Sequence, residues 1–340
     1  MPLTNVQISE LLARSGLLAE GHAARAYQRA SRAALGWAEE ASDLINAGRS
    51  PQELERVGPS LSRRIREWIE ADVEIPDPPG VRAGFSGLAR ARRTLAAHPE
   101  WRERYRGDLH MHSSYSDGKA TIEEMAITSA QRGYGYVAMA DHSKGLRVPR
   151  GMDEEVLARQ GEEIAAVNER LEPAGIQVLR AIELNIAPDG SGDMDAPALE
   201  SLDLVIGSFH SELRVTEDQT ERYLAALRNP HLDILGHPQG RMYGRRTGLV
   251  AQWERVFEEA VKLGKAVEVD SLPDRQDLSV PLLRLAADAG CYVSIDTDAH
   301  DPEELRYLDI GLSAALAAGV RPDRVLNFMG AEELRAWARR

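Results

Sequence analysis

Apolar positions recur at helical spacing through the N-terminal part of the chain. Val6, Ile8, Leu11, Leu12, Leu17 and Leu18 form one stripe, and Ala24, Tyr27, Ala30 and Ala34 form a second. The stretch Leu54–Ile65 reads as helix, glycine turn, helix around Gly58-Pro59-Ser60. Ile75-Pro76-Asp77-Pro78-Pro79-Gly80 cannot continue a helix, because proline lacks the N–H and its ring clashes with the preceding turn. The pattern therefore predicts a helical domain over residues 1–74 and a linker over 75–100 carrying one helical piece, Leu88 to Ala97.

Past residue 100 the pattern alternates. Seven short β-rich runs, at 107–113, 135–142, 176–186, 203–210, 232–237, 265–271 and 291–298, are mostly separated by helical runs such as 121–132, 153–171, 217–228, 251–263 and 279–289. Repeated strand–helix order argues for parallel strands with helices outside. Seven such units fit a barrel better than an open sheet. The expected class is α/β, a seven-stranded (β/α) barrel behind a small all-α N-terminal domain.

Composition narrows the chemistry. With 43% hydrophobic and 28% charged residues the chain reads as globular. Residues 1–100 hold 13 Arg, no Lys and 13 acids, so the whole net charge of −13 falls on the barrel segment. An acidic chain is no general nucleic-acid coat, although a nuclease can take its positive charge from metal ions. One cysteine, Cys291, excludes a disulfide framework and a thiolate zinc site. No apolar run is long enough to span a membrane, and MPLTNVQISELLARSG lacks the basic and apolar regions of a signal peptide, so the expected compartment is the cytoplasm.

The histidines gather where the strands end. Run one, Asp108-Leu109-His110-Met111-His112, carries two, and i, i+2 spacing on a strand places both on one face. His142 ends run two, Glu183 lies in run three, His210 ends run four, His237 ends run five, and Asp298 and His300, again i, i+2, close run seven. Asp117 stands on the loop after run one. In a parallel barrel these C-terminal ends share the rim where active sites are built. Six imidazoles and three carboxylates suit two or three divalent ions at ~3–5 protein ligands each. His22, His98 and His231 stand outside this pattern, and His231 sits at a strand's start. Basic residues near the rim are positioned to grip phosphate: Lys144 after strand two, Arg241, Arg245 and Arg246 after strand five, and Arg275 after strand six, with Lys144 and Arg241 the leading candidates. Asp141 and His142 are adjacent and face opposite sides, so only one reaches a shared site.

These motifs, Asp-Leu-His110-Met-His112-Ser-Ser-Tyr-Ser-Asp117-Gly, Ala-Asp-His142-Ser-Lys-Gly-Leu, Glu183, Ser-Phe-His210-Ser, Ile-Leu-Gly-His237-Pro and Asp298-Ala-His300, resemble the PHP (polymerase and histidinol phosphatase) family from residue 107 to about 335. Asp141-His-Ser-Lys144-Gly-Leu, Asn229-Pro-His-Leu-Asp-Ile-Leu-Gly-His-Pro-Gln-Gly-Arg241 and Pro273-Asp-Arg275 are most similar to the PHP domain at the C-terminus of bacterial family-X DNA polymerases. Ala26–Ala30 and Leu54–Ile65 resemble the small helix-hairpin-helix domain of those enzymes. The resemblance implies a distorted seven-stranded barrel with a trinuclear site of zinc, manganese or iron that hydrolyses phosphate esters. It implies His110, His112, Glu183 and Asp298 on one ion, Glu183 bridging to a second held by His210 and His237, and Asp117, His142 and His300 on the third. A metal-bound water, acidified from a pKa of ~16 to about 7, would be the nucleophile, with no phosphoenzyme.

The departures from the family matter. Only residues 75–100 separate the two parts, which leaves no room for a polymerase carboxylate triad. Residues 1–100 contain no lysine for a Schiff-base lyase, and strand six reads Val267-Glu268-Val269-Asp270-Ser271 where the family often has Asn. The expected partner is a phosphate-ester substrate, with DNA 3′ ends as the candidate for a 3′–5′ exonuclease or 3′-end processing enzyme. Arg56, Arg63, Arg64 and Arg66 flank the hairpin and are candidate contacts to a DNA backbone. The alternative is a small-molecule phosphatase, such as a histidinol phosphatase or nucleotide phosphoesterase. A non-catalytic module with a structural metal site fits the full ligand set poorly.

Overall fold

The computed structural model describes residues 2–71, 73–145 and 151–339; Leu146, the last residue of the Asp141–Leu146 run, lies outside them. Seven strands, β1 (Gly107–Met111), β2 (Tyr136–Met139), β3 (Gln177–Asn185), β4 (Leu204–Ser208), β5 (Ile234–Leu235), β6 (Ala266–Asp270) and β7 (Tyr292–Asp296), pair in sequence order, all parallel. Each falls inside one of the seven β-rich runs. All seven are wholly or almost wholly buried, as strands between helices and a filled interior must be.

Ahead of the barrel lie α1 (Asn5–Leu18), α2 (Gly21–Leu35), α3 (Ala41–Asn46), α4 (Pro59–Glu70), α5 (Leu88–Ala96) and α6 (Glu100–Arg104). Around it lie α7 (Ile122–Gln131), α8 (Glu154–Leu171), α9 (Ala196–Leu199), α10 (Thr220–Leu227), α11 (Trp253–Leu263), α12 (Val280–Ala289), α13 (Leu308–Ala318) and α14 (Ala331–Ala338). Local chemistry sets their ends. Thr4 and Gln7 form a capping box on α1, and Thr121 and Glu124 form one on α7. Gly264, at φ +68°, ends α11 in the left-handed conformation that costs glycine least. One expectation changes: the residues before Gly58 form only a 3-10 turn, Pro51–Glu53, and not a helix. Ser50 and Pro51 start that turn, and Arg56 at φ +64° leaves the helical region before α4 begins.

The barrel is nearly closed, and its last seam is made with side chains. Between β1 and β7 the backbone supplies little more than a bridge at Met111 and Ala299. Two buried aspartates supply the rest. Leu109 N–H donates to Asp296 Oδ1 at 2.8 Å, and the Thr297 hydroxyl donates to Asp108 Oδ2 at 2.7 Å while its N–H lies 3.2 Å from the same oxygen. Asn327 Nδ2 donates to Asp296 Oδ1 at 2.8 Å and to Gly107 O at 3.0 Å. Burial, reinforced by their mutual repulsion, pushes the Asp108 carboxyl well above its usual range, and burial raises Asp296.

The N-terminal helices pack on the loops that follow β5 and β6. Tyr243 Oη lies 2.7 Å from Ser9 Oγ and 3.2 Å from Ser31 Oγ, joining α1 and α2 to the loop after β5. Phe85 packs edge-on against Tyr243, and Arg82 Nε pairs with Glu10 at 2.7 Å. The Gln276 side chain exchanges hydrogen bonds with the Ser86 backbone, both 2.8 Å. Leu88 and Ala91 of α5 are buried against Ile310 of α13. No described helix is long and apolar enough to cross a membrane.

The seam yields a stability test. Asp296→Ala removes the acceptor of Leu109 N–H and of the Asn327 amide and should cost about 2–4 kcal/mol in urea unfolding, the penalty for two orphaned buried donors. Asp296→Asn keeps an acceptor oxygen and sheds the unfavourable buried charge, so it should stay within about 1 kcal/mol of the parent. Equal losses in the two variants would show that the seam does not rest on this acceptor.

Candidate metal centre

The sequence-expected ligands converge at the C-terminal ends of the strands. Glu183, near the end of β3, is buried at their centre. His142 Nδ1 stands 2.5 Å from its Oε2, His237 Nε2 2.8 Å and His210 Nε2 3.1 Å from its Oε1, and His110 and His112 Nε2 3.6 and 3.7 Å from its Oε2. Asp298 Oδ1 lies 2.9 Å from His112 Nε2 and 3.7 Å from His110 Nε2. Asp117 completes the outer side, its Oδ1 3.2 Å from His300 Nε2, 3.5 Å from His142 Nε2 and 4.0 Å from His112 Nδ1. All nine side chains meet in one place.

Local backbone explains how they arrive. Asp141 turns away, accepting from Ser113 N–H (2.8 Å), Ser113 Oγ (2.6 Å) and Gln160 Nε2 (2.7 Å), which fixes the β1 loop and leaves His142 to face the cluster. His237 and Asp298 take positive φ values, +24° and +49°, so the chain turns sharply at both ligands. Gly236 precedes His237 because a Cβ there would run into the Ser208 side chain of the neighbouring strand end.

Two residues not counted as site residues support the cluster. Glu268 of β6, buried, holds His110 Nδ1 at 2.6 Å and accepts the backbone N–H of His237. A carboxylate held on one ring nitrogen orients the other, here Nε2, toward the centre. Arg275, named only as a phosphate contact, sets Nη1 3.3 Å from Asp298 Oδ2 and Nε 3.7 Å from Asp270 Oδ2. The sequence signal for Glu268 is an acid set between two valines inside a buried strand.

The phosphate-gripping candidates divide. Arg241 lines the same pocket, of about 280 Å³, as do Arg246 and Arg275. Its guanidinium lies 3.9 Å over the Phe85 ring and donates to Ala83 O at 3.0 Å. Lys144 is not among the residues lining that pocket; its ammonium is 2.5 Å from Glu154 Oε1.

The donor set fits divalent ions. Three groups hold ligand atoms within 4.8 Å of one another: His110, His112 and Glu183; His142, Glu183 and His210; and His112, Asp117, His142 and His300. His110 Nε2, His142 Nδ1 and Glu183 Oε2 are buried and make no aligned hydrogen bond, although they stand close together. Orphaned polar atoms are rare in folded interiors and call for an explanation, and lone pairs aimed at shared points supply one. Charge states within the cluster diverge. Burial disfavours charge on Glu183, yet His142, His210 and His110 hold its carboxyl well below the usual carboxylate range. Burial, with His300 and His142 alongside, lowers His112 to about 3, and burial lowers His237 to about 4, so both rings are neutral at pH 7, the form that binds a metal. At His300 the neighbouring Asp117 and Asp298 outweigh burial and raise it to about 9.

Comparison with known proteins agrees with the geometry. A family model described as the PHP domain matches residues 108–271. The chain is 38% identical over 236 residues to the DNA polymerase/3′-5′ exonuclease PolX of Bacillus subtilis, a match spanning 69% of this chain and 41% of that protein. It is 29% identical over 229 residues to a probable phosphatase of Syntrophotalea carbinolica, covering 65% of this chain and 90% of that one. A histidinol phosphate phosphatase from Lactococcus lactis, solved with zinc, L-histidinol and phosphate, aligns over 63% of this chain and 94% of that chain at 15% identity, with a TM-score of 0.48. The strand order, the family model and the sequence relatives lead to one conclusion: residues 108–271 of this chain are a PHP domain.

Proposed function

We propose that this chain is a metal-dependent phosphoesterase that processes the 3′ end of DNA. Hydrolysis of phosphate esters is the part common to its named relatives, a 3′-5′ exonuclease and probable phosphatases. The observation that carries the reading is the convergence of nine donor side chains around buried Glu183. On this reading His110, His112, Asp117, His142, Glu183, His210, His237, Asp298 and His300 hold two or three divalent ions, zinc, manganese or iron. Such ions, when bound, supply a hydroxide nucleophile at neutral pH and withdraw charge from the phosphate oxygens.

The chain's own groups do the remaining work. Glu268 fixes the ring of His110, and Arg275 balances Asp298. Arg241, Arg246 and Arg275 stand on the pocket wall, where guanidinium groups pair with phosphate oxygens in two-pronged fashion. Lys144 reaches substrate by exchanging Glu154 for a phosphate. No serine or cysteine nucleophile is called for, and Cys291 is buried elsewhere. Residues 1–74 form a separate helical domain in this scheme, joined through 75–100 to the barrel, with no nucleotide-transfer centre between them. The preference for DNA comes from the relative at 38% identity, whose match covers 41% of that protein.

A second reading, a phosphatase for small esters, has its own support. The probable phosphatases match over about nine-tenths of their length, and the pocket is small, about 280 Å³.

Three outcomes test these statements. Protein stripped with chelator should lose phosphoester hydrolysis and regain it with Mn²⁺ or Zn²⁺, and Glu183→Gln should lower bound metal by elemental analysis and turnover at least ~100-fold; undiminished turnover in that variant would remove the metal reading. Glu268→Gln should lower metal affinity ~10–100-fold while leaving the fold intact by circular dichroism, as loss of an orienting carboxylate does. A 3′-labelled oligonucleotide and a panel of small phosphate monoesters, compared by kcat/KM, should favour the oligonucleotide. The reverse order would assign the chain to the small-ester reading.

A further inference from the structure

A second polar cleft lies on the barrel flank, among α5, α6, the turn after α7 and the segment 305–309, and shares no lining residue with the metal pocket. It encloses about 440 Å³. Five arginines line it, Arg92, Arg102, Arg106, Arg132 and Arg306, against two acids, Glu103 and Asp309. In a chain of net charge −13 this is a local reversal of sign.

The arginines are under-paired. Asp309 alone serves two of them, through Arg102 Nε at 2.7 Å and Arg92 Nε at 3.3 Å, and one carboxylate neutralises one guanidinium. Among the described residues Arg106 and Arg132 have no ion pair or side-chain hydrogen bond. Arg306 is tied by one nitrogen to Tyr307 Oη at 2.9 Å and Glu55 at 3.3 Å, and its Nε is buried without a partner. Tyr134, only 8% exposed, lines the same space, and its hydroxyl has no hydrogen-bond partner among the described residues. Arginines that only brace a fold end on carboxylates. Here Arg106 and Arg132 are exposed with no carboxylate partner among the described residues, and the largely buried phenol of Tyr134 stands beside them.

We propose that this cleft is a binding site for a phosphate-bearing anion, separate from the metal cluster. Several guanidinium groups around a concave space match the planar, two-pronged recognition of phosphate oxygens, and a phenol adds a neutral donor. A phosphodiester strand and a free pyrophosphate-type group share this chemistry. The site does not depend on which ester the barrel hydrolyses.

The test uses the full chain, chelator-treated so that nothing is cleaved, with two probes: a fluorescein-labelled single-stranded oligodeoxynucleotide read by anisotropy and inorganic pyrophosphate read by calorimetry. Arg106→Ala/Arg132→Ala should weaken binding at least ~10-fold, and for the oligonucleotide flatten the salt dependence of log K by about 1.4, two phosphate contacts on a single strand. Arg106→Lys/Arg132→Lys keeps the charge but loses the planar fork, so its affinity should fall between the parent and the double-alanine variant. Both positions are exposed, so melting temperature and metal uptake should match the parent. A loss confined to the oligonucleotide identifies a nucleic-acid strand as the occupant, and one confined to pyrophosphate identifies a free phosphate compound. Parent protein that binds neither probe, or a double-alanine variant with unchanged affinity for both, overturns the proposal. Hydrolysis measured separately with metal restored shows whether the phosphoesterase reading stands or falls apart from this one.

Discussion

One buried carboxylate organises the molecule. Glu183 sits in the barrel with no exposure to solvent on its side chain, and an isolated charge there would be strongly disfavoured. Five histidines from four other strand ends surround it within 3.7 Å. Each of those strand ends must therefore deliver its loop to the same point, which constrains the register of the parallel sheet from β1 to β5. The positive φ values at His237 and Asp298 are local consequences, since both loops bend sharply to bring a ligand inward.

The same polarity extends to the barrel wall. A seven-stranded barrel leaves its first and last strands imperfectly matched, and unpaired backbone groups in a dry seam are costly. Asp108, Asp296 and Asn327 meet that demand with side-chain acceptors and donors. Their presence means that acids near strand ends go to two separate places, the polar cluster or the closing seam. Asp296 and Asp298 lie two residues apart in sequence and go to different ones.

That division explains what could be read from the sequence. The strands were legible because short β-rich runs alternated with helical ones, and the ligands because histidine is rare enough that seven in one segment, most of them at strand ends, stand out. Glu268 was not legible as a supporting residue: β6 is buried on both faces, so alternation does not say which side chain points to the rim. Asp108 and Asp296 sit beside cluster residues in sequence yet face the seam, a distinction that depends on which way each side chain points. The 3-10 turn before Gly58 escaped because helical spacing of apolar residues survives in a segment too short and too proline-marked to propagate. The docking of the N-terminal helices was invisible, because Tyr243, Ser9 and Ser31 are far apart in the chain and unremarkable singly.

That docking has a mechanical consequence. The loop after β5 carries Arg241 and Arg246 on one side and, through Tyr243, is pinned to α1 and α2 on the other. It behaves as a fixed jamb and not as a swinging door. A displacement of the helical segment would drag the arginine wall with it.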